Sequence, residues 1–393
     1  MRPRTLERPA VRRAVTLAAV LLAIEFLDEL VFSAREAAWP AIRADLSLSY
    51  TQIGLLLGLP NIVSAFLEPG FGILADTRWR RALMVGGGIA FEFGLLLTAI
   101  SPGFFLLLFA FSLLYPASGA FVSTSQATLI DASPGRHEHE MARWTFAGSV
   151  GVAAGPAALY LAYLAGAGWR VLLALFAVIA LALAFALARK LPPAAPAGED
   201  DNTPTASLRD AMRAARRLDV WRWLLLLAFS DLLLDTFLGF VALFLVDSVG
   251  LTEERAAAAF AVFTAAGLIG DGLVVLILRR VPGLPYVRIT AAIAVVVYPL
   301  FLLAPSFALV FAGLILVGLL NSGWYPVLKA GLYGSLPGRS GSVLALYSGF
   351  GLATAFVPTA LGVVADAYGV DAAMWLLLAG PLALAIFTPW RTR

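Results

Sequence analysis

Apolar residues arrive along this chain in long blocks broken by short polar stretches. A helix rises about 1.5 Å per residue, so roughly 20 apolar residues cross the hydrocarbon layer of a bilayer. Twelve blocks of that order fall at 14–35, 50–75, 81–100, 103–131, 142–165, 168–190, 220–246, 254–278, 286–304, 307–335, 340–366 and 371–390, numbered below as spans 1 to 12. The period-two alternation of a transmembrane barrel is absent, so the expected class is an all-α integral membrane protein of twelve transmembrane helices. Between Lys190 and Val220 the pattern lapses. "LPPAAPAGEDDNTPTA" reads as a flexible linker, and "SLRDAMRAARRLDVWRW", from Ser207, as a basic amphipathic helix on the inner membrane face. The expected organisation is a six-helix half over 1–190, a cytoplasmic linker over 191–219 and a second six-helix half over 220–393.

Composition agrees: 61% of residues are hydrophobic, 13% charged, and the mean hydropathy is +0.88. With the amino terminus inside, the basic residues of 2–13, 78–81, 136–143, 189–190, 209–222, 279–288, 339 and 391–393 fall on one side, and only Arg35, Arg43, Arg170 and Arg255 on the other. Basic residues stay cytoplasmic, so both termini are expected there, in a plasma (inner) membrane of a bacterial type. Span 1 is too long and too acidic for a cleaved signal peptide and is read as retained. The net charge of +3 then reflects topology, not affinity for nucleic acid. The absence of cysteine excludes disulfides and thiolate metal sites.

Other chemistries are rejected residue by residue. His137 and His139 in "GRHEHEMAR" stand two apart in a loop, on different sides of any helix, so no metal site is expected. "GGG" at 86–88 follows no strand and reads as helix packing. No catalytic constellation, nucleotide loop or cofactor motif is found. The chain is expected not to be an enzyme, to need no cofactor, and to draw its energy from a gradient.

Set against itself at an offset of 203 residues, the chain repeats. Asp28 meets Asp231, Leu48-Ser49 meets Leu251-Thr252, Glu68 meets Asp271, Pro102 meets Pro305, Pro134-Gly135-Arg136 meets Pro337-Gly338-Arg339, Gly148 meets Gly351 and Gly166 meets Gly369. Two parallel six-helix repeats, related by an axis along the membrane normal, are one of the known transporter architectures, with the substrate site near the midplane.

Here the residues resemble the major facilitator superfamily. "GILADTRWRR" matches the pattern G-x-x-x-D-(R/K)-x-G-R-(R/K) at Gly72, Asp76, Arg80 and Arg81, departing at Thr77 and Trp79. The resemblance implies two pseudo-symmetric halves in the major facilitator fold and a cytoplasmic latch in this loop. In the latch Asp76 would face a helix amino end and Arg80 would pair with Asp131, the acid ending span 4. "GSVGVAAGPAALY" resembles the G-x-x-x-G-P motif of exporters at Gly151, Gly155 and Pro156, implying a hinge or close packing. The arginine that many drug:proton antiporters carry in span 4 is replaced by Tyr115, with Ser118 and Gly119 at the following motif positions. The first loop and span 2 are most similar to the fosmidomycin-resistance-type branch of drug exporters.

Ionisable residues inside a membrane cost several kcal/mol and are the default functional candidates. Span 1 carries Glu25, Asp28 and Glu29 on one face with Arg35 two turns on; span 7 carries Asp231 and Asp235. Span 10 offers a stripe of Asn321, Tyr325 and Lys329, and the repeat pairs Lys329 with Gln126 of span 4. The resemblance implies that spans 1, 4, 7 and 10 line the cavity, making these the candidates for proton coupling or substrate binding. Glu68 and Asp271, on spans 2 and 8, are assigned to gates; Glu92 has no assigned role. Trp324, Tyr325, Tyr347 and Phe350 offer stacking surfaces. A carboxylate that is wet in one state and dry in another can load and release a proton. The leading expectation is a monomeric secondary transporter that exports a small amphiphilic or drug-like molecule in exchange for protons across the lipid bilayer. A symporter or facilitator importing a sugar or organic acid stands as an alternative, as does a lipid-moving or receptor-like protein without coupling.

Overall fold

The computed structural model describes residues 8–75, 77–133, 137–191, 217–335 and 350–390. The end of the expected amphipathic segment is the start of the helix Leu218–Asp231; Asp76, Tyr347 and residues 192–216, which hold most of the central linker and of that segment, lie outside the described residues. Within them the chain is helical, and eleven helices are long and apolar enough to cross a membrane, from Tyr50–Gly72 to Val370–Phe387. The block at 14–35 lies in a further continuous helix, Arg8–Ala37, whose apolarity is broken by Glu25, Asp28, Glu29 and Glu36. The sequence pattern misses one short helix, Trp39–Leu46, which starts with a proline in its first turn and ends at Ser47 in the left-handed conformation.

Several repeat anchors acquire a physical reason. Ser49 accepts from the Gln52 backbone N–H at 3.1 Å while the Gln52 side chain accepts from the Ser49 N–H at 2.9 Å, a reciprocal cap at the start of span 2. Its repeat mate Thr252 caps span 8 by accepting from the Arg255 N–H at 3.4 Å, with Glu253 and Glu254 in the first turn. Gly166 and Gly369 both turn the chain in the left-handed region, at φ 72° and 88°, where a side chain is disfavoured.

Three of the four spans expected to line a cavity are not regular helices. Span 4 is helical over Phe104–Ser118, passes through a π-helical turn at Gly119–Ser123 and resumes over Thr124–Asp131. Span 7 carries a π-turn at Leu232–Thr236, so Asp231 and Asp235 are not one α-turn apart. Span 10 stops at Asn321 and restarts at Trp324, with Gly323 at φ 78°. The expected unbroken stripe from Asn321 to Lys329 is therefore interrupted. In the 203-residue register the first residue of the span 4 π-turn, Gly119, corresponds to Ser322, at the break in span 10. π-turns and broken spans free backbone groups and are found where membrane proteins do chemistry.

The chain forms two compact units, residues 1–35 with 59–199, and 36–58 with 200–393. In the first, the glycine run is helix packing: Gly88 of span 3 sits against Ala184 of span 6 and Phe121 of span 4. Phe121 is fully buried there with Phe91, their ring centroids 6.3 Å apart. In the second, Phe237, Phe240, Phe244, Phe260, Tyr298 and Phe301 are buried, with Phe237 and Phe263 ring centroids 5.2 Å apart. Trp324 is also fully buried and donates to the Thr290 hydroxyl at 2.9 Å, so it packs this core and offers no stacking surface. Because lipid is as apolar as these side chains, close packing and interhelical hydrogen bonds, not escape from water, hold such cores.

Candidate functional site

The first unit carries an open cavity of about 370 Å³ lined by four carboxylates, Glu25, Asp28, Glu29 and Glu68, together with Asn61, Ser64, Tyr115, Ser118, Gln126 and Trp144. Spacing at i, i+3 and i+4 on span 1 puts the first three acids on one helical face, and that face is the cavity wall. Glu68, assigned to a gate by its place on span 2, joins them: Ser64, one turn before it, donates to Glu68 Oε1 at 2.7 Å. Span 2 can come this close because Gly119 has no side chain; a Cβ there would stand 3.2 Å from Glu68 Oε1.

Each acid has its own support. Ser118 Oγ donates to Asp28 Oδ1 at 2.8 Å. Glu25 is buried, at 8% exposure, and accepts from the buried Trp144 side chain of span 5. Gly148, one turn beyond Trp144, makes room for it: a Cβ there would stand 2.6 Å from Glu25 Oε1. Gly151 and Gly155 continue the same stripe, and a Cβ on either would stand 2.5 Å from Phe26 O or 2.6 Å from Leu30 O. The Gly-Pro motif thus lies flat against span 1 within one unit and sets where the acids stand. Neither Trp144 nor Ser118 was singled out as a site residue in the sequence. The repeat carried a signal for Ser118, since it is the mate of Asn321.

Arg35 ends the acid-bearing face of span 1. It is 2% exposed, its Nη1 donates to Tyr115 Oη at 2.8 Å, and its guanidinium lies 4.9, 5.0 and 5.3 Å from the ring centroids of Phe32, Phe111 and Tyr115. Such ring faces attract a cation. Tyr115 stands at the span 4 position where the sequence resemblance implies an arginine, and a guanidinium from span 1 reaches it instead. Arg35 also interacts electrostatically with Asp28. Four like charges in this volume repel one another, and a proton, a bound cationic group or Arg35 relieves that repulsion.

The second unit holds the remaining candidates. Asn321 is buried and donates to Leu233 O, inside the span 7 π-turn, at 2.7 Å. Lys329 Nζ donates to Tyr325 Oη at 2.7 Å and interacts with Asp231. Asp235 is in electrostatic reach of Glu36. Asp271 is exposed and accepts from the Gly323 backbone N–H. At the loop after span 2, Arg80 Nη1 pairs with Asp131 Oδ2 at 2.7 Å while its Nε donates to Ala75 O, and Arg81 donates to Ala188 O. A Cβ on Gly72 would meet open space.

A family model of the Major Facilitator Superfamily matches residues 21–350. The chain belongs to this superfamily. As a member it is a multi-pass membrane transporter and not an enzyme. It is similar to the fosmidomycin resistance protein of Escherichia coli (strain K12), 26% identical over 377 residues that cover 92% of this chain and 90% of that protein. Among solved structures it is similar to a bacterial homolog of the human lysosomal transporter Spinster, with TM-score 0.74 and 17% identity over 98% of this chain and 97% of that one. It is also similar to the nucleoside transporter NupG, with TM-score 0.76 and 14% identity over 94% and 97% of the two chains. At these identities the two structures speak to the major facilitator fold alone.

Proposed function

We propose that this superfamily member is a proton-coupled exporter of a small amphiphilic or drug-like molecule. It would work by alternating access in the plasma membrane, as a monomer with both termini in the cytoplasm. The observation that carries the proposal is the convergence of Glu25, Asp28, Glu29 and Glu68 on one cavity beside a buried arginine. Among the described residues, four acids line this one cavity, and Arg35 bonds to Tyr115 at its edge. In this reading Asp28 is the principal proton carrier, positioned by Ser118 and facing Arg35, and Glu25 assists, held by Trp144. Asp231 and Lys329 form a second charge system, within the other half. The similarity to a protein named for fosmidomycin resistance supports export of a drug-like compound, although it is distant.

The test is transport in proteoliposomes under an imposed pH gradient, with compounds first selected by thermal stabilisation, since a ligand of the native state raises its apparent stability. The gradient is expected to drive flux of a selected compound together with protons, and Asp28→Asn combined with Asp231→Asn is expected to uncouple the two. Coupling that survives the double replacement refutes the proposal.

A further inference from the structure

Where span 3 begins and span 6 ends, the first unit carries another cavity, of about 530 Å³, bordered by Arg78, Trp79, Arg81, Ala82, Val85 and Ala188. It shares no residue with the acid-lined cavity. Its rim is cationic: Arg78 stands 5.5 Å from the Trp79 ring centroid, and Arg81 Nη2 donates to Ala188 O at 2.7 Å, in the last turn of span 6. Arg189 and Lys190 add two further cations in that turn. The floor is apolar and continues into exposed side chains, Ile89 and Phe93 on span 3 and Leu181 and Phe185 on span 6. Exposed apolar side chains on membrane spans face acyl chains, whereas arginine and tryptophan side by side mark the level of the headgroups.

We propose that this cavity binds one anionic glycerophospholipid, its phosphate held by Arg78 and Arg81 and its acyl chains laid along spans 3 and 6. Guanidinium groups match phosphate oxygens in a two-pronged geometry, and basic pockets between spans are a recurrent seat of anionic headgroups. A free phosphate would meet the arginines but leave the apolar strip uncovered, so the occupant that fits the whole surface is a lipid. The site is separate from whatever the protein transports.

Native mass spectrometry of the intact detergent-purified protein, titrated with phosphatidylglycerol or with phosphatidylcholine of the same chains, tests this. The wild type is expected to retain phosphatidylglycerol in preference to phosphatidylcholine, and less so at higher salt. Arg78→Gln is expected to weaken phosphatidylglycerol binding about fivefold, and Arg78→Gln with Arg81→Gln by about fivefold again, with phosphatidylcholine unchanged. Arg78→Gln alone leaves the Arg81 bond to Ala188 in place and keeps the test readable if the Arg81 variant does not fold. Equal retention of the two lipids by the wild type, or an undiminished preference in the Arg78 variant, overturns the proposal. So does competition by inorganic phosphate at the same concentration as the lipid.

Discussion

The two repeats solve one packing problem differently. In each, a polar side chain at the end of the first segment of the fourth helix ties that helix to the first helix of its half. In the amino-terminal repeat it is Ser118, and its acceptor is the carboxylate of Asp28. In the carboxy-terminal repeat the mate is Asn321, and its acceptor is the backbone carbonyl of Leu233 inside the span 7 π-turn. The mated donors therefore bond to a titratable group in one half and to a main-chain group in the other. The second-helix acids are both exposed but differ in partner: Glu68 lines the acid cavity and accepts from the Ser64 side chain, whereas its mate Asp271 accepts from the backbone at the span 10 break. One half gathers four carboxylates around a space; in the other, Asn321 and Asp271 bond to the backbone at the helix breaks while Asp231 interacts with Asp235 and Lys329.

The largest effect that would sharpen this contrast is on transport. Asp28→Asn is expected to reduce gradient-driven flux to the empty-liposome background, while Asp231→Asn leaves a measurable fraction; equal loss in both would remove the distinction between the halves. Packing gives the next largest difference. Gly148→Ala forces a Cβ to within 2.6 Å of Glu25 Oε1, whereas the mate Gly351 has open space at that point. The first variant is expected to lose about 1–3 kcal/mol and the second to stay within about 1 kcal/mol of wild type or gain slightly, read from thermal unfolding in detergent. Asn321→Ala leaves the Leu233 carbonyl without this donor and is expected to cost about 1–3 kcal/mol, while Ser118→Ala should show its main effect in the pH dependence of transport. Smallest of all, Arg80→Ala breaks the Asp131 pair, whose acid is 57% exposed. A change of only about 0.2–1 kcal/mol in stability is expected, so a larger loss of transport than of stability would mark a role in the cycle.

The spans were legible in the sequence because their number and length follow from hydrophobicity alone, and the repeat was legible because caps and turns such as Ser49/Thr252 and Gly166/Gly369 need particular residues. The π-turns and the break before Trp324 were not, since the backbone register of a helix leaves little mark in composition. The acid face of span 1 could be read from its i, i+3, i+4 spacing. Its companions could not: Trp144 looks like any membrane tryptophan until Gly148 is seen to bring span 5 against Glu25, and Glu68 is drawn in by the absence of a side chain at Gly119. Helical faces are a one-helix property that sequence spacing reports, while which neighbour faces them depends on small residues on other helices.

The central claim is that protons are carried by the carboxylates of the amino-terminal cavity. Infrared difference spectroscopy of the reconstituted protein across a pH step measures this directly, through the stretching band of protonated carboxyl groups. A pH-dependent band is expected that is lost in Asp28→Asn, reduced in Glu25→Gln and retained in Asp231→Asn. A band that persists in Asp28→Asn and disappears in Asp231→Asn would contradict it.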